Sequence, residues 1–224
     1  MGFEEFVLAA VTADLSVEPA AREHADAVEF RLDLADDGRA RLDAYDGDLP
    51  LLVTNRVEWE GGEAADEPAR IEALERAVEH PAVEAVDVEL AAVRTGDYAL
   101  LDHAREHDVA VVVSVHDFEE TPERGTLSAL LTEAAELGDV GKLAVTAETR
   151  GDVLALLSAT HEATAAGERV ATMAMGEAGR HSRAVAPLYG SRIGYAPIDP
   201  GDATAPGQYD LATLRRLIDQ LQEQ

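Results

Sequence analysis

A single lysine, Lys142, stands among eighteen basic residues, the rest being arginine. It lies in the run Val140-Gly141-Lys142-Leu143-Ala144-Val145. As a strand, that run puts the lysine on the face shared with Val140 and Ala144. Burial disfavours the charged form of an amine, and a neutral amine attacks carbonyl carbon, the opening step of Schiff-base chemistry. Arginine stays protonated and cannot do this. A purely structural lysine paired with Glu29 or Glu89 is the alternative. Perturbed groups cluster at sites, which favours the chemical reading. A second candidate is His116, one of seven histidines. It ends the apolar run Val109-Ala110-Val111-Val112-Val113-Ser114-Val115-His116, where a proton-transfer group would be held rigidly.

Positioning such groups needs strands, and the chain supplies them at intervals. Strand candidates are Phe6–Thr12, Ala27–Leu34, Leu51–Arg56, Val83–Leu90, Val109–His116, Val140–Thr146, Arg169–Met173 and Ile193–Tyr195. Amphipathic stretches lie between them at Glu67–Glu79, Thr95–His107, Pro122–Leu137 and Thr149–Ala166, with Leu211–Leu221 last. Pro68 and Pro122 fall in first turns, where proline is tolerated. Eight strand–helix units of about 28 residues predict an α/β fold, a single (β/α)8 TIM barrel over residues 1–224. The second unit, with its Asp/Gly-rich Ala35–Asp48, and the short eighth strand fit least well. A doubly wound open sheet is the alternative, but no glycine-rich phosphate fingerprint follows the first strand.

Barrel enzymes carry their catalytic groups at the C-terminal ends of strands, which is where His116 stands. In the second strand Val28, Phe30, Leu32 and Leu34 share one face, and Glu29, Arg31 and Asp33 the other. The fourth alternates likewise as Val86-Asp87-Val88-Glu89-Leu90, and the third ends Val53-Thr54-Asn55-Arg56. An edge strand facing water could read this way. A barrel has no edge and its outside is covered by helices, so the charged face must point inward. Ions persist there only if paired, hydrogen-bonded or used, and a polar active centre is the reading favoured here.

Composition narrows the classes. Forty-five acidic residues against 18 basic ones give a formal net charge of −27, which opposes binding to nucleic acid or an anionic membrane. The acidity runs along the whole chain rather than in a tail, as expected of a protein adapted to high salt, where screening relieves self-repulsion. No cysteine is present, so disulfides and thiolate metal sites are excluded. Met1–Phe6 has no positive n-region of a signal peptide, and apolar runs are too short to span a bilayer. The expectation is a cytoplasmic protein.

Several segments, in order along nearly the whole chain, carry a family likeness. They are Glu29-Phe30-Arg31-Leu32-Asp33, Thr54-Asn55-Arg56 with Glu60-Gly61-Gly62, Ser114-Val115-His116-Asp117-Phe118, and Lys142-Leu143-Ala144. Met173-Ala174-Met175-Gly176 with Ser182-Arg183, and Ala205-Pro206-Gly207-Gln208, complete the set. Together they resemble type I 3-dehydroquinate dehydratases. The resemblance implies a (β/α)8 barrel, usually a homodimer without metal or cofactor, converting 3-dehydroquinate to 3-dehydroshikimate in the shikimate pathway. It implies that Lys142 forms an imine with the C3 ketone and that His116 takes a proton from C2 and gives one to the departing C1 hydroxyl. Glu60 would orient His116, Arg183 would clamp the carboxylate, and Glu29, Arg31, Arg56, Thr204 and Gln208 would contact the substrate. Departures are Thr204 in place of a serine, Asn55 in place of an aromatic residue, and Thr12 or Ala13 where relatives often have a serine contact. An N-terminal hairpin found in some relatives is expected to be missing, and Pro200–Gln208 reads as a lid. Rival readings are a sugar-phosphate aldolase working through the same imine and a ligand-binding barrel without activity. A metal hydrolase lacks the paired-histidine spacing of a zinc site.

Overall fold

The computed structural model describes residues 1–223 except 66, 97, 200, 202–204 and 206. Eight strands, β1 (Val7–Thr12), β2 (Ala27–Arg31), β3 (Leu51–Thr54), β4 (Val83–Glu89), β5 (Ala110–Asp117), β6 (Val140–Thr146), β7 (Val170–Met175) and β8 (Ile193–Pro197), run parallel in the order β7-β6-β5-β4-β3-β2-β1-β8. The sheet curls until β7 meets β8, giving the (β/α)8 barrel. That last seam is thin. It holds a bridge between Val170 and Ser191, with Arg192 N donating to Val170 O at 2.7 Å and Ser191 Oγ accepting from Thr172 N at 3.0 Å. A side-chain oxygen thus stands in for a missing rung of the ladder, which accounts for the poor strand signal in the eighth unit.

Register decides what faces inward. Ala9 pairs with Ala27, Glu29 with Leu52, Thr54 with Asp87, Glu89 with Ser114, and Ser114 with Lys142. On β2 to β6 the inner face therefore begins apolar, with Ala27, Leu52, Ala85, Val112 and Val140. It turns polar toward the C-terminal ends with Glu29, Thr54, Asp87, Ser114 and Lys142. Phe3, 2% exposed, joins the apolar inner cluster beside Val7 and Ala110. Outward residues such as Val28, Phe30, Val86, Val111 and Val113 pack under helices in the largest core cluster.

The helices follow their local signals. They are α1 (Gly38–Asp43), α2 (Glu67–Val78), α3 (Leu90–Thr95), α4 (Tyr98–Glu106), α5 (Arg124–Leu137), α6 (Arg150–Ala165), α7 (Gly176–Gly179), α8 (Ser182–Val185) and α9 (Leu211–Gln222). Thr149 caps α6 reciprocally with Asp152, satisfying backbone donors the helix cannot pair itself. Asp210 caps α9, whose Leu211, Leu214 and Ile218 are buried in one core cluster with Leu8, Ala10 and Ala196. No helix among the described residues is long and apolar enough to cross a membrane.

Two expectations need correcting. The helix expected over Thr95–His107 is α4, over Tyr98–Glu106, and a separate helix, α3, precedes it and is stopped at Gly96, whose φ of +117° lies in the region that favours glycine. Strand β2 ends at Arg31, and Leu32–Leu34 form a 3-10 turn. That turn brings the Asp33 carboxylate back onto Arg31, whose Nε and Nη2 donate to it at 2.9 and 2.6 Å. A charge-assisted fork closed over two residues outweighs continued strand pairing.

Candidate active site

The cleft at the C-terminal ends of the strands has a volume of about 530 Å³, its open mouth included. Glu29, Arg31, Arg56, Glu60, His116, Lys142, Arg183 and Gln208 all line it, so eight of the nine expected site residues converge from the ends of β2, β3, β5 and β6, from α8, and from the segments that follow β3 and β8. The ninth, Thr204, lies outside the described residues. So does part of the expected lid. Thr12 is occupied locally, its Oγ1 accepting from Asp14 N at 3.0 Å. His181 is exposed on the approach to α8.

Lys142 is 4% exposed and pairs first with a carboxylate other than the two the structural alternative named, with Glu29 at the limit of ion-pair reach. Its Nζ donates to Asp87 Oδ2 at 2.9 Å, while Glu29 Oε1 is 4.0 Å away and Glu89 is engaged elsewhere. The Tyr195 ring lies under the amine, its centroid 4.3 Å from Nζ. One residue earlier, Gly141 lets α5 approach β6 closely. A Cβ there would stand 2.6 Å from Ala135 N and 2.8 Å from Leu131 O. Asp87 was visible in sequence as an inward position of β4 but carried no assigned role. Burial would raise its carboxyl, but Arg56, Lys142 and His116 outweigh that and hold it far below the usual carboxylate range.

Arg56 is the hub of the charges. Its Nη2 donates to Asp87 Oδ1 at 2.6 Å, and its Nη1 to Glu89 Oε1 at 2.7 Å and to Ser114 Oγ at 2.8 Å. Ser114 Oγ donates in turn to Asp87 Oδ1 at 2.6 Å. Nη1 also lies 3.8 Å from Glu60 Oε2. With these partners Arg56 has less left for a substrate hydroxyl than the sequence suggested.

Glu60 reaches the site on the short turn after β3. Gly62 permits the fold-back, since a Cβ there would fall 2.0 Å from Arg56 O. Glu60 Oε2 meets His116 Nδ1 at 2.9 Å, leaving Nε2 for the cleft. Burial pushes the Glu60 carboxyl up to about 8, against the pull of Arg56 and with help from Glu89 and Asp87. Burial, then Arg56 and Lys142, drive the His116 imidazolium well below its ordinary range. At neutral pH the pair therefore holds a neutral imidazole able to accept a proton.

Arg183 is different in kind. Ser182 anchors the start of α8 to β7 by accepting from Ala174 N at 2.9 Å, and the next side chain enters the cleft. Arg183 is 5% exposed, yet its Nε and Nη2 have no hydrogen-bond partner. Burial alone lowers it to about 10. In a chain with 45 acidic residues, a buried guanidinium without a carboxylate partner among the described residues suits an external anion. Across the cleft Gln208 follows Gly207 (φ +79°), and its Oε1 accepts from Ala205 N at 3.3 Å. No group of three or more potential metal ligands occurs among the described residues.

Comparison with known proteins gives one answer. The family model for type I 3-dehydroquinase matches residues 9–224. The 3-dehydroquinate dehydratase of Haloarcula marismortui is 63% identical over 226 residues, covering 99% of each chain. Among solved structures, 3-dehydroquinate dehydratase from Geobacillus kaustophilus is similar with a TM-score of 0.87 and 31% identity, over 98% of this chain and 92% of that one. Type I 3-dehydroquinate dehydratase from Clostridium difficile, with covalently modified comenic acid, is similar with a TM-score of 0.86 and 26% identity, over 99% and 94%.

Proposed function

The chain belongs to the type I 3-dehydroquinase family, and we propose that it dehydrates 3-dehydroquinate to 3-dehydroshikimate through an imine on Lys142. The observation that carries this is the pairing of one buried amine, Lys142, with one buried, unpartnered guanidinium, Arg183, across a cleft holding a neutral histidine. A ring that is a β-hydroxy ketone and bears a carboxylate fits those three groups.

Arg183 takes the substrate carboxylate, supplying the counter-charge it lacks in the free protein. Lys142 Nζ adds to the C3 ketone, and the carbinolamine loses water to give the imine. The protonated imine draws electrons from the neighbouring C–H bond, so His116 Nε2 removes the C2 proton and an enamine forms. Electrons return from the enamine, the C1–O bond breaks, and the same imidazolium hands its proton to the departing hydroxyl. Water then hydrolyses the imine and frees Lys142. The net change is loss of one water, a hydro-lyase reaction. One histidine serves both transfers because the proton it takes from C2 makes it the acid that the departing hydroxyl needs. Glu60 orients His116 through Nδ1. Glu29, Arg31, Gln208 and Thr204 hold ring hydroxyls, and Arg56 acts chiefly by holding Asp87 and Glu60.

The same reading places residues 1–224 in one catalytic domain, working in the cytoplasm as a homodimer without metal or cofactor in aromatic amino acid biosynthesis. Sedimentation at multimolar KCl tests the dimer. Turnover of 3-dehydroquinate at high salt tests the reaction: activity in the unmodified protein and its loss in Lys142→Ala are expected. Activity retained by Lys142→Ala, or none in folded unmodified protein, contradicts it.

A further inference from the structure

Behind the cleft, on the far side of the barrel wall, lies a buried charge that the reaction scheme does not use. Arg70 sits on α2, outside the barrel, and is 2% exposed. Its Nη1 lies 2.6 Å from Glu89 Oε2 and donates to Asn55 O at 3.1 Å. Asn55 Nδ2 in turn donates to Arg70 O at 3.2 Å, so α2 and the end of β3 are cross-tied at this point. The other carboxylate oxygen of Glu89 receives both Arg56 Nη1 at 2.7 Å and Val57 N at 3.3 Å. Charges therefore alternate from the helix layer into the site as Arg70, Glu89, Arg56, Asp87, Lys142, all of them 4% exposed or less.

We propose that Arg70 is a positioning residue for the proposed dehydration. It holds Glu89, and through Glu89 the Arg56 guanidinium, in the place from which Arg56 faces both Asp87 and Glu60. The inference rests on the site reading above. A buried carboxylate between two guanidiniums is fixed in orientation, whereas one that loses a partner carries an uncompensated charge. Among the described residues, the charged groups that act on the Glu60–His116 pair or line its cleft are Arg56 just after β3, Glu29 and Arg31 from β2, Asp87 and Glu89 from β4, Lys142 from β6 and Arg183 from α8. Arg70 is the cation behind Glu89. Removing it leaves the field at Glu60 and His116 more negative, which favours protonation of both. The tie also gives Asn55 a task of its own: its side-chain amide and its carbonyl both engage Arg70.

The test is Arg70→Met beside Arg70→Lys, studied as full chains at multimolar KCl. The first readout is His116 titration by NMR, assigned with His116→Asn, which needs no turnover. The second is the pH dependence of kcat/KM for 3-dehydroquinate. Arg70→Met is expected to move the His116 midpoint and the acid limb upward together by about half a unit or more. Its kcat should fall about tenfold with little change in KM. Arg70→Lys keeps the charge and should leave both midpoints at their unmodified position. Should Arg70→Met not fold, Arg70→Gln makes the same charge change while retaining a donor for the Asn55 carbonyl. A folded Arg70→Met or Arg70→Gln protein with an unmoved His116 midpoint, only less stable, overturns the proposal. An unmodified protein that shows no turnover overturns the site reading instead, and the titration still decides the role of Arg70.

Discussion

At the scale of single residues, the site separates groups that hold the protein together from groups that cost it stability. Arg183 is in the second set. A desolvated guanidinium with unpaired Nε and Nη2 weakens the free protein, as sites adapted to a ligand often do. Arg183→Met should therefore raise the thermal midpoint of the free protein while lowering kcat/KM about 100-fold or more. Calorimetry and steady-state kinetics check the two halves, and a lower midpoint would mean that Arg183 has a structural partner. Glu60 makes a pH-dependent case. Its folded carboxyl lies at about 8, above the ordinary 4.5. Its contribution to stability is complete below the ordinary value and is lost as pH rises through about 8. Thermal midpoints should decline between pH 5 and pH 8.5, roughly that window, and Glu60→Gln should flatten the decline. His116, held below its usual range, should leave the acid limb of kcat/KM below about pH 6.5.

Elements put these residues where they are, and much of this was legible beforehand. Alternation in Val86-Asp87-Val88-Glu89 and in Glu29-Phe30-Arg31 gave the inward face, because a barrel strand can place charge nowhere else. The run ending at His116 gave a strand end. Partners were not legible, since pairing depends on register: the choice of Asp87 over Glu29 or Glu89 for Lys142 follows from β4 and β6 flanking β5. Arg70 hid because an arginine on a helix normally faces water. The available signal was its spacing with Leu74 and Ala77, which puts it on the buried stripe of α2. Tyr195 hid in the short β8, where five residues carry little periodicity. Close packing of α5 on β6 yields a further expectation. Gly141→Ala would drive a methyl into backbone atoms of α5 and should cost about 1–3 kcal/mol. Gly96→Ala, with nothing within 4 Å, should cost about 1 kcal/mol through backbone strain alone. Chemical denaturation compares them, and equal losses would refute the packing argument.

For the whole molecule, charge dominates. Among the described residues five acidic and five basic side chains are buried, so these buried groups offset none of the chain's formal net charge of −27. Exposed pairs such as Arg94 with Glu133 contribute little individually, and they cannot offset that imbalance. Screening can, because the Debye length falls to about 3 Å at 1 M salt. The thermal midpoint should climb steadily from dilute buffer to multimolar KCl, and a flat dependence would contradict adaptation to salt. The buried network should be far less salt-sensitive, being shielded from ions by the strands around it. The His116 midpoint should accordingly move less with salt than global stability does.

The imine on Lys142 is the claim on which the rest depends. Sodium borohydride added with 3-dehydroquinate reduces an imine to a stable amine, and intact mass reads the adduct. The chain has one lysine, so peptide mapping leaves only Lys142 and the N-terminal amine to distinguish. The account expects a single adduct on Lys142 that is absent from Lys142→Ala. An unmodified Lys142 in folded protein that turns over substrate would contradict it.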